Sequence, residues 1–240
     1  MKPLIVITGA SSGFGKEMAL QFSAAGHPIL LLARRIEPMI DLNLPNTLVK
    51  AVDVTDFNAF AAAVAEAEKK YGKVDCLINN AGVMLLGNIW QQDITEWQTM
   101  LDVNVKAVLN GTKIVLSDMM TRNEGTIINV SSIAGKKTFG NHAAYCATKY
   151  GVHALTETVR EEVSSYNVRI MLVAPGAAET ELLGHTTDEN IKDGYNQWKE
   201  TMGGTSLNPV HVATSVKFMY EMPQSVNIRE LVIAATKQDS

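Results

Sequence analysis

Short β-branched runs alternate with amphipathic stretches of helical length along nearly all of this 240-residue chain. That rhythm constrains the fold more than any single motif. The runs are Leu4–Thr8, Ile29–Ala33, Thr47–Asp53, Cys76–Asn79, Gly125–Ser131, Val168–Ala174 and Leu231–Ala234. Helical candidates lie near Phe14–Ala25, Phe57–Tyr71, Thr95–Thr121, His142–Ser165 and Pro209–Glu221. Strands that are almost wholly apolar belong in a sheet covered on both faces. Alternation with helices calls for right-handed crossovers, and so for a doubly wound, seven-stranded parallel α/β sheet of the Rossmann type in one domain. An apolar fraction of 46% over this length is enough for a sizeable core. One stretch breaks the rhythm. The polar, glycine-containing segment at about 176–208 follows the sixth strand, where insertions cover a ligand, and is expected to be a lid.

Other classes find little support. A net charge of −4 offers no attraction to nucleic acid or anionic membrane. No run approaches the ~20 apolar residues of a membrane span. The opening Lys2-Pro3-Leu4-Ile5-Val6-Ile7 is too short for a signal segment and reads as a strand, so a cytoplasmic location is expected. Cys76 and Cys146 are too few for a disulfide framework, and the five histidines show no metal-ligand spacing.

Two constellations carry chemistry. The first strand runs into Thr8-Gly9-Ala10-Ser11-Ser12-Gly13-Phe14-Gly15 and then a helix. Strand, Gly9, Gly13, Gly15, helix is an order that lets backbone amides approach a pyrophosphate at a helix N-terminus. The second constellation is Ser132, Tyr145 thirteen positions later, and Lys149 one helical turn beyond. The bare Tyr-x-x-x-Lys pattern is not diagnostic, because Tyr195 and Lys199 repeat it. Thirteen positions before Tyr195 stands Leu182, which has no hydroxyl, so the second pair reads as a chance match on a surface helix.

Further segments complete a pattern: Asn79-Asn80-Ala81-Gly82 after the fourth strand, Asn104 on the long fourth helix, and Pro175-Gly176 with Thr180 after the sixth strand. With these in order, the chain resembles the short-chain dehydrogenase/reductase family over nearly its full length. The resemblance implies a nicotinamide cofactor held by Gly9, Ser11, Ser12, Gly13, Phe14 and Gly15, by Asp53 and Val54 at the adenine, and by Asn80, Ala81 and Gly82. Tyr145, Lys149, Pro175, Gly176 and Thr180 would complete that site. It also implies that Lys149 holds the nicotinamide ribose, that Asn104 holds a proton-relaying water, and that subunits pair as homodimers or homotetramers. Family members usually carry glycine where this chain has Ala107.

Cofactor choice has a physical basis. NAD-preferring sites place an acid at the end of the second strand, whereas here Ala33 is followed by Arg34 and Arg35. Guanidinium groups bind a 2′-phosphate through forked, charge-assisted hydrogen bonds, so NADP(H) is expected. At the chemical end, a positive Lys149 ~5–6 Å from the Tyr145 phenol, at an effective dielectric near ~20, favours the phenolate by ~3 kcal/mol. Desolvation opposes this. Tyr145 would then serve as general acid in reduction and base in oxidation, with Ser132 donating a hydrogen bond to the substrate oxygen. His142 is open to two readings, a pocket residue or a surface residue at a helix start.

The substrate is less constrained. Within the family the chain resembles NADP-dependent 3-hydroxy acid dehydrogenases and carbonyl reductases, through Phe14, Arg34-Arg35 and Val226-Asn227-Ile228-Arg229. A carboxylate would call for an arginine clamp, yet no arginine lies between Arg169 and Arg229. The expected lid carries Glu179, Glu181, Asp188, Glu189, Asp193 and Glu200. A small neutral ketone, aldehyde or diketone is favoured, with a hydroxy acid or a cationic amino-ketone as alternatives. A non-catalytic NADP-binding redox sensor is the reading from a different class.

Overall fold

The computed structural model describes residues 2–202 and 206–238. The chain opens with β1 (Leu4–Thr8), α1 (Gly13–Ala24), β2 (Ile29–Ala33), a short α2 (Glu37–Ile40), β3 (Thr47–Ala51), α3 (Phe57–Tyr71) and β4 (Val74–Asn79). It continues through α4 (Ile94–Leu101), α5 (Ala107–Arg122), β5 (Gly125–Val130), α6 (Ala143–Glu162) and β6 (Val168–Pro175). The last elements are α7 (Glu189–Thr201), α8 (Pro209–Glu221) and β7 (Glu230–Ile233). Among the described residues, seven strands form one sheet of order β3-β2-β1-β4-β5-β6-β7, and every pairing is parallel.

Side-chain alternation sends each strand into two cores. Ile5, Ile7, Ile29 and Leu31 pack with Met18 and Phe22 of α1 and Val216 of α8. Leu4, Val6, Leu30 and Leu32 pack on the other face with Phe60 of α3 and Val115 and Met119 of α5. Both faces are dry, which is why these strands read as unbroken apolar runs. Helix ends follow local chemistry. The Asp56 carboxylate accepts from the Asn58 and Ala59 amides to start α3, and Asn123 closes α5 in the left-handed region (φ 54°).

Several boundaries depart from expectation. β3 stops at Ala51, which leaves Asp53 in the following loop, and β4 starts at Val74. The long fourth helix is not continuous, because a π-helical turn at Asp102–Lys106 separates α4 from α5. Asn104 sits inside that turn, where its amide is tied to the Val83 backbone. Such turns are rare within helices and are frequent at functional sites. The expected lid is built rather than irregular: a 3-10 turn (Glu181–His185) leads into α7, capped by Asp188. Residues 203–205 of that span lie outside the described residues. No helix among the described residues is long and apolar enough to cross a membrane.

Candidate active site

Strand order reverses between β1 and β4, and a cleft opens at their carboxyl ends, where α/β sheets accept ligands. Its two walls are stitched together by side chains. The Thr8 hydroxyl accepts from the Asn80 and Ala81 amides at 2.9 and 3.0 Å, and the Asn80 Nδ2 donates to the Thr8 and Gly9 carbonyls at 2.9 and 3.2 Å. Gly9 has φ 65°, and a Cβ there would lie 2.8 Å from the Ala81 Cα. Both the conformation and the close approach require glycine at this turn. Gly15 does not face the cleft; it lies beneath, where a Cβ would collide with the Gly9 carbonyl.

The cleft measures about 1220 Å³. Gly9, Ser11, Ser12, Gly13, Phe14, Arg34, Arg35, Asp53 and Val54 line one end, with Asn80, Ala81 and Gly82 following. Ser132, Tyr145, Lys149, Pro175, Gly176 and Thr180 line it further along. Partial burial works against the charge of Asp53. Hydrogen bonds from the Thr55 amide and hydroxyl, with Arg34 nearby, nevertheless hold its carboxyl below the usual value. Arg35 donates to Glu181 at 2.6 Å, and the Ser11 and Ser12 hydroxyls lie 3.4 Å from the same nitrogen.

Further along the cleft, Tyr145 and Lys149 rise from one face of α6, and Ser132 caps the 3-10 turn (Ile133–Gly135) that follows β5. Ser132 accepts from the Ala134 amide at 3.1 Å, while the neighbouring Ser131 donates to the Lys149 carbonyl. Both serines line the cleft, but their hydroxyls have different partners. Tyr145 is 4% exposed and Lys149 6%. Lys149 donates to the Val130 carbonyl at 3.2 Å, and its Nζ lies 5.7 Å from the Tyr145 ring centre.

Here the electrostatic expectation is corrected. Burial pushes the Tyr145 phenol well above its ordinary value, only partly offset by the Ser132 hydroxyl. Burial also lowers the Lys149 ammonium to about 8. Both side chains are largely withdrawn from water although they line the cleft, and desolvation disfavours the charged form of each. Asn104 does not reach the cleft surface. It is 1% exposed, accepts from the Val83 amide at 2.8 Å, and donates to the Val83 carbonyl at 2.9 Å and the Thr148 hydroxyl at 3.1 Å. Thr148 in turn donates to the Tyr145 carbonyl, so Asn104 braces the turn that carries the tyrosine.

A family model described as short chain dehydrogenase matches residues 3–191. The chain belongs to the short chain dehydrogenase family. An uncharacterized oxidoreductase of Staphylococcus saprophyticus is 34% identical, over 98% of this chain and 96% of its own length. A sulfoacetaldehyde reductase of Chromohalobacter salexigens is also 34% identical, over 99% of this chain and 96% of its own. Among solved structures, the closed form of serine dehydrogenase complexed with NADP+ superposes with a TM-score of 0.92 at 28% identity, covering 99% of this chain and 96% of that one. The chain is thus an oxidoreductase of this family.

Residues that sequence reading passed over also reach the site. Tyr195, assigned to a surface helix by chance match, lies on α7 and lines the cleft with Trp198, Ile191 and Phe139. The repeated Tyr-x-x-x-Lys lies on the same cleft as the first, which Tyr145, Lys149, Tyr195 and Lys199 all line. Amphipathic spacing on a helix following β6 was the available signal. His142 also lines the cleft, which settles its two readings. Of the six acids on the segment expected to be a lid only Glu181 does so, and it is paired with Arg35. The others belong to the outer face.

Proposed function

We propose that the protein reduces a small, uncharged ketone, aldehyde or diketone to the alcohol with NADPH, reversibly. The observation that carries this is the convergence of Ser132, Tyr145 and Lys149 at one end of a cleft whose other end presents Arg34 and Arg35. The cofactor's fit is supported by the glycine cradle at Gly9 and Gly13, and by the Glu181 carboxylate, an anion already held where a 2′-phosphate would meet Arg35 and Ser12. Named relatives agree with the redox chemistry but not with the uncharged substrate: the serine dehydrogenase binds NADP+, and the Chromohalobacter enzyme reduces an aldehyde that carries a sulfonate.

When bound, NADPH supplies hydride to the carbonyl carbon, while the oxygen takes a proton. Tyr145, kept protonated by burial, gives that proton, and Ser132 donates a hydrogen bond to the oxygen as charge develops on it. Lys149 keeps a positive charge beside the phenol as it ionises, holds the cofactor ribose, and with Asn104 and Thr148 fixes the tyrosine's position. Gly176 to Asn208 serves as the substrate lid. A 3-hydroxy acid is less favoured, because the arginines of the cleft stand at its nucleotide end. Assembly through α4, α5, α6 and β7 into dimers or tetramers is supported by exposed Ile94, Leu101, Leu109, Tyr150 and Val232, and sizing at micromolar concentration tests it.

The deciding experiment follows NADPH oxidation against ketones, diketones, amino-ketones, keto acids and sulfoacetaldehyde, with NADH alongside and Tyr145→Phe as control. Turnover with NADPH that vanishes in the variant, while NADPH binding persists, is the expected result. Tight NADPH binding without any turnover would instead favour the redox-sensor reading.

A further inference from the structure

Four aromatic rings wall the cleft beside the catalytic tyrosine. Phe139 and His142 precede α6, and Tyr195 and Trp198 lie one turn apart on α7. Their ring centres form a continuous series: Phe139 to His142 at 5.5 Å, Phe139 to Trp198 at 6.2 Å, Trp198 to Tyr195 at 5.3 Å, and Tyr195 stacked on His142 at 6.2 Å. His142 also meets Tyr145 edge to face at 6.2 Å, which joins this wall to the proton donor. Burial lowers the His142 imidazole below its ordinary value, against the opposing hydrogen bond with the Gly140 carbonyl, and so favours the uncharged ring.

Charge around the wall narrows the choice of ligand. The ammonium of Lys137 lies 5.7 Å from the Phe139 ring centre and that of Lys199 lies 5.9 Å from Tyr195. Those contacts already present cations to the rings, so a cationic substrate would meet repulsion. No acid of the lid lines this end to compensate. No arginine lines it either, so an anionic group would meet only the point charge of Lys199, which already lies against the Tyr195 ring, and no forked partner. A neutral, flat, apolar group meets neither obstacle, and aromatic faces and edges attract such groups beyond simple area burial.

We propose that this wall is a recognition surface for a planar substituent, so that the preferred substrate is an uncharged aryl or conjugated ketone or aldehyde. The inference rests on the carbonyl-reductase reading and names its substrate class. The flat group stacks on Tyr195 and Trp198, which places its carbonyl at Tyr145 and Ser132. The carbonyl carbon gains a hydride and the oxygen gains the Tyr145 proton. NADPH is oxidised to NADP+, and the phenolate recovers a proton from water. Tyr195 and Trp198 are specificity-determining residues in this scheme.

The test measures kcat/KM at saturating NADPH for 2,3-butanedione, 1-cyclohexyl-1,2-propanedione and 1-phenyl-1,2-propanedione. The wild type should favour phenyl over methyl by at least tenfold, and phenyl over cyclohexyl by roughly two- to tenfold, the share that ring stacking adds beyond area. In Trp198→Leu, and independently in Tyr195→Leu, the phenyl-to-cyclohexyl ratio should fall towards one. Equal rates for phenyl and methyl substrates, a ratio that survives both variants, or a preference for a trimethylammonium-bearing or carboxylated ketone would overturn the inference while leaving carbonyl reduction standing. Absence of turnover with every dione, despite NADPH binding, would overturn both.

Discussion

Arg35 and Glu181, 146 positions apart in the chain, form an ion pair at 2.6 Å that joins the loop after β2 to the turn that follows β6. The guanidinium also faces the Ser11 and Ser12 hydroxyls, so it is the centre of a small anion site filled by the protein's own carboxylate. Under the proposed function, a 2′-phosphate has to take Arg35 from Glu181. Glu181→Gln is therefore expected to tighten NADPH binding about two- to fivefold and leave NADH nearly unchanged. The effect is modest because both side chains are more than half exposed, and it should shrink as salt is added. Fluorescence titration with both cofactors measures it; equal NADPH affinities would show that the carboxylate does not compete.

Arg34 stands beside the same end of the cleft, where a carboxylate would repel a phosphate and accept from a ribose hydroxyl. Arg34→Asp should weaken NADPH by roughly tenfold or more, as loss of a charge-assisted contact does, and improve NADH. Initial rates with the two cofactors check this. An unchanged preference would remove Arg34 from the site.

Lys149 has a depressed pKa, about 8 against an ordinary 10.5, because burial disfavours its charge. Below pH 8 the lysine is charged in both the folded and unfolded states, and the folded protein bears the full cost, on the order of 3 kcal/mol. Between pH 8 and 10 the unfolded state binds more protons, so stability contributed by this group rises with pH. Lys149→Met should be more stable than the parent at pH 7, with the difference narrowing towards pH 10. Urea unfolding of both proteins at several pH values gives the comparison, and a pH-independent difference would contradict the burial cost.

Asn104 satisfies both backbone groups of Val83 as well as the Thr148 hydroxyl. Asn104→Ala leaves buried polar groups without partners, at about 2–4 kcal/mol, and loosens the turn behind Tyr145. Urea denaturation should show the loss, and kcat should fall more than KM rises. A variant of wild-type stability would mean that water replaces the amide at no cost.

Much of the fold was legible because its signals are local. Ile5 and Ile7 against Leu4 and Val6 already declare a strand buried on both faces, and Gly9, Gly13 and Gly15 declare a tight turn into a helix. The i, i+4 spacing of Tyr145 and Lys149 places them on one helix face without any coordinates. The boundary at Leu101 was not legible. The π-helical turn carries Asn104, whose side chain bonds Val83, a partner 21 positions away that no local window contains. The short α2 at Glu37–Ile40, with its proline, carries too few residues to register as a periodic pattern.

The amino-acid sequence by itself determined the alternating architecture, the glycine turn, the paired arginines and the Ser132, Tyr145 and Lys149 set, since each depends on neighbours in the chain or on fixed spacing. Only the tertiary structure decided what surrounds them. It brought Tyr195 and Trp198 from α7 against His142 and Phe139, seated Glu181 on Arg35, turned the remaining lid acids away from the cleft, and buried Tyr145 and Lys149 deeply enough to reverse the expected direction of the phenol's shift. Contacts between distant segments, and the exclusion of water they produce, arise from packing the whole sheet and its helices together, and that information is not carried by any one stretch of residues.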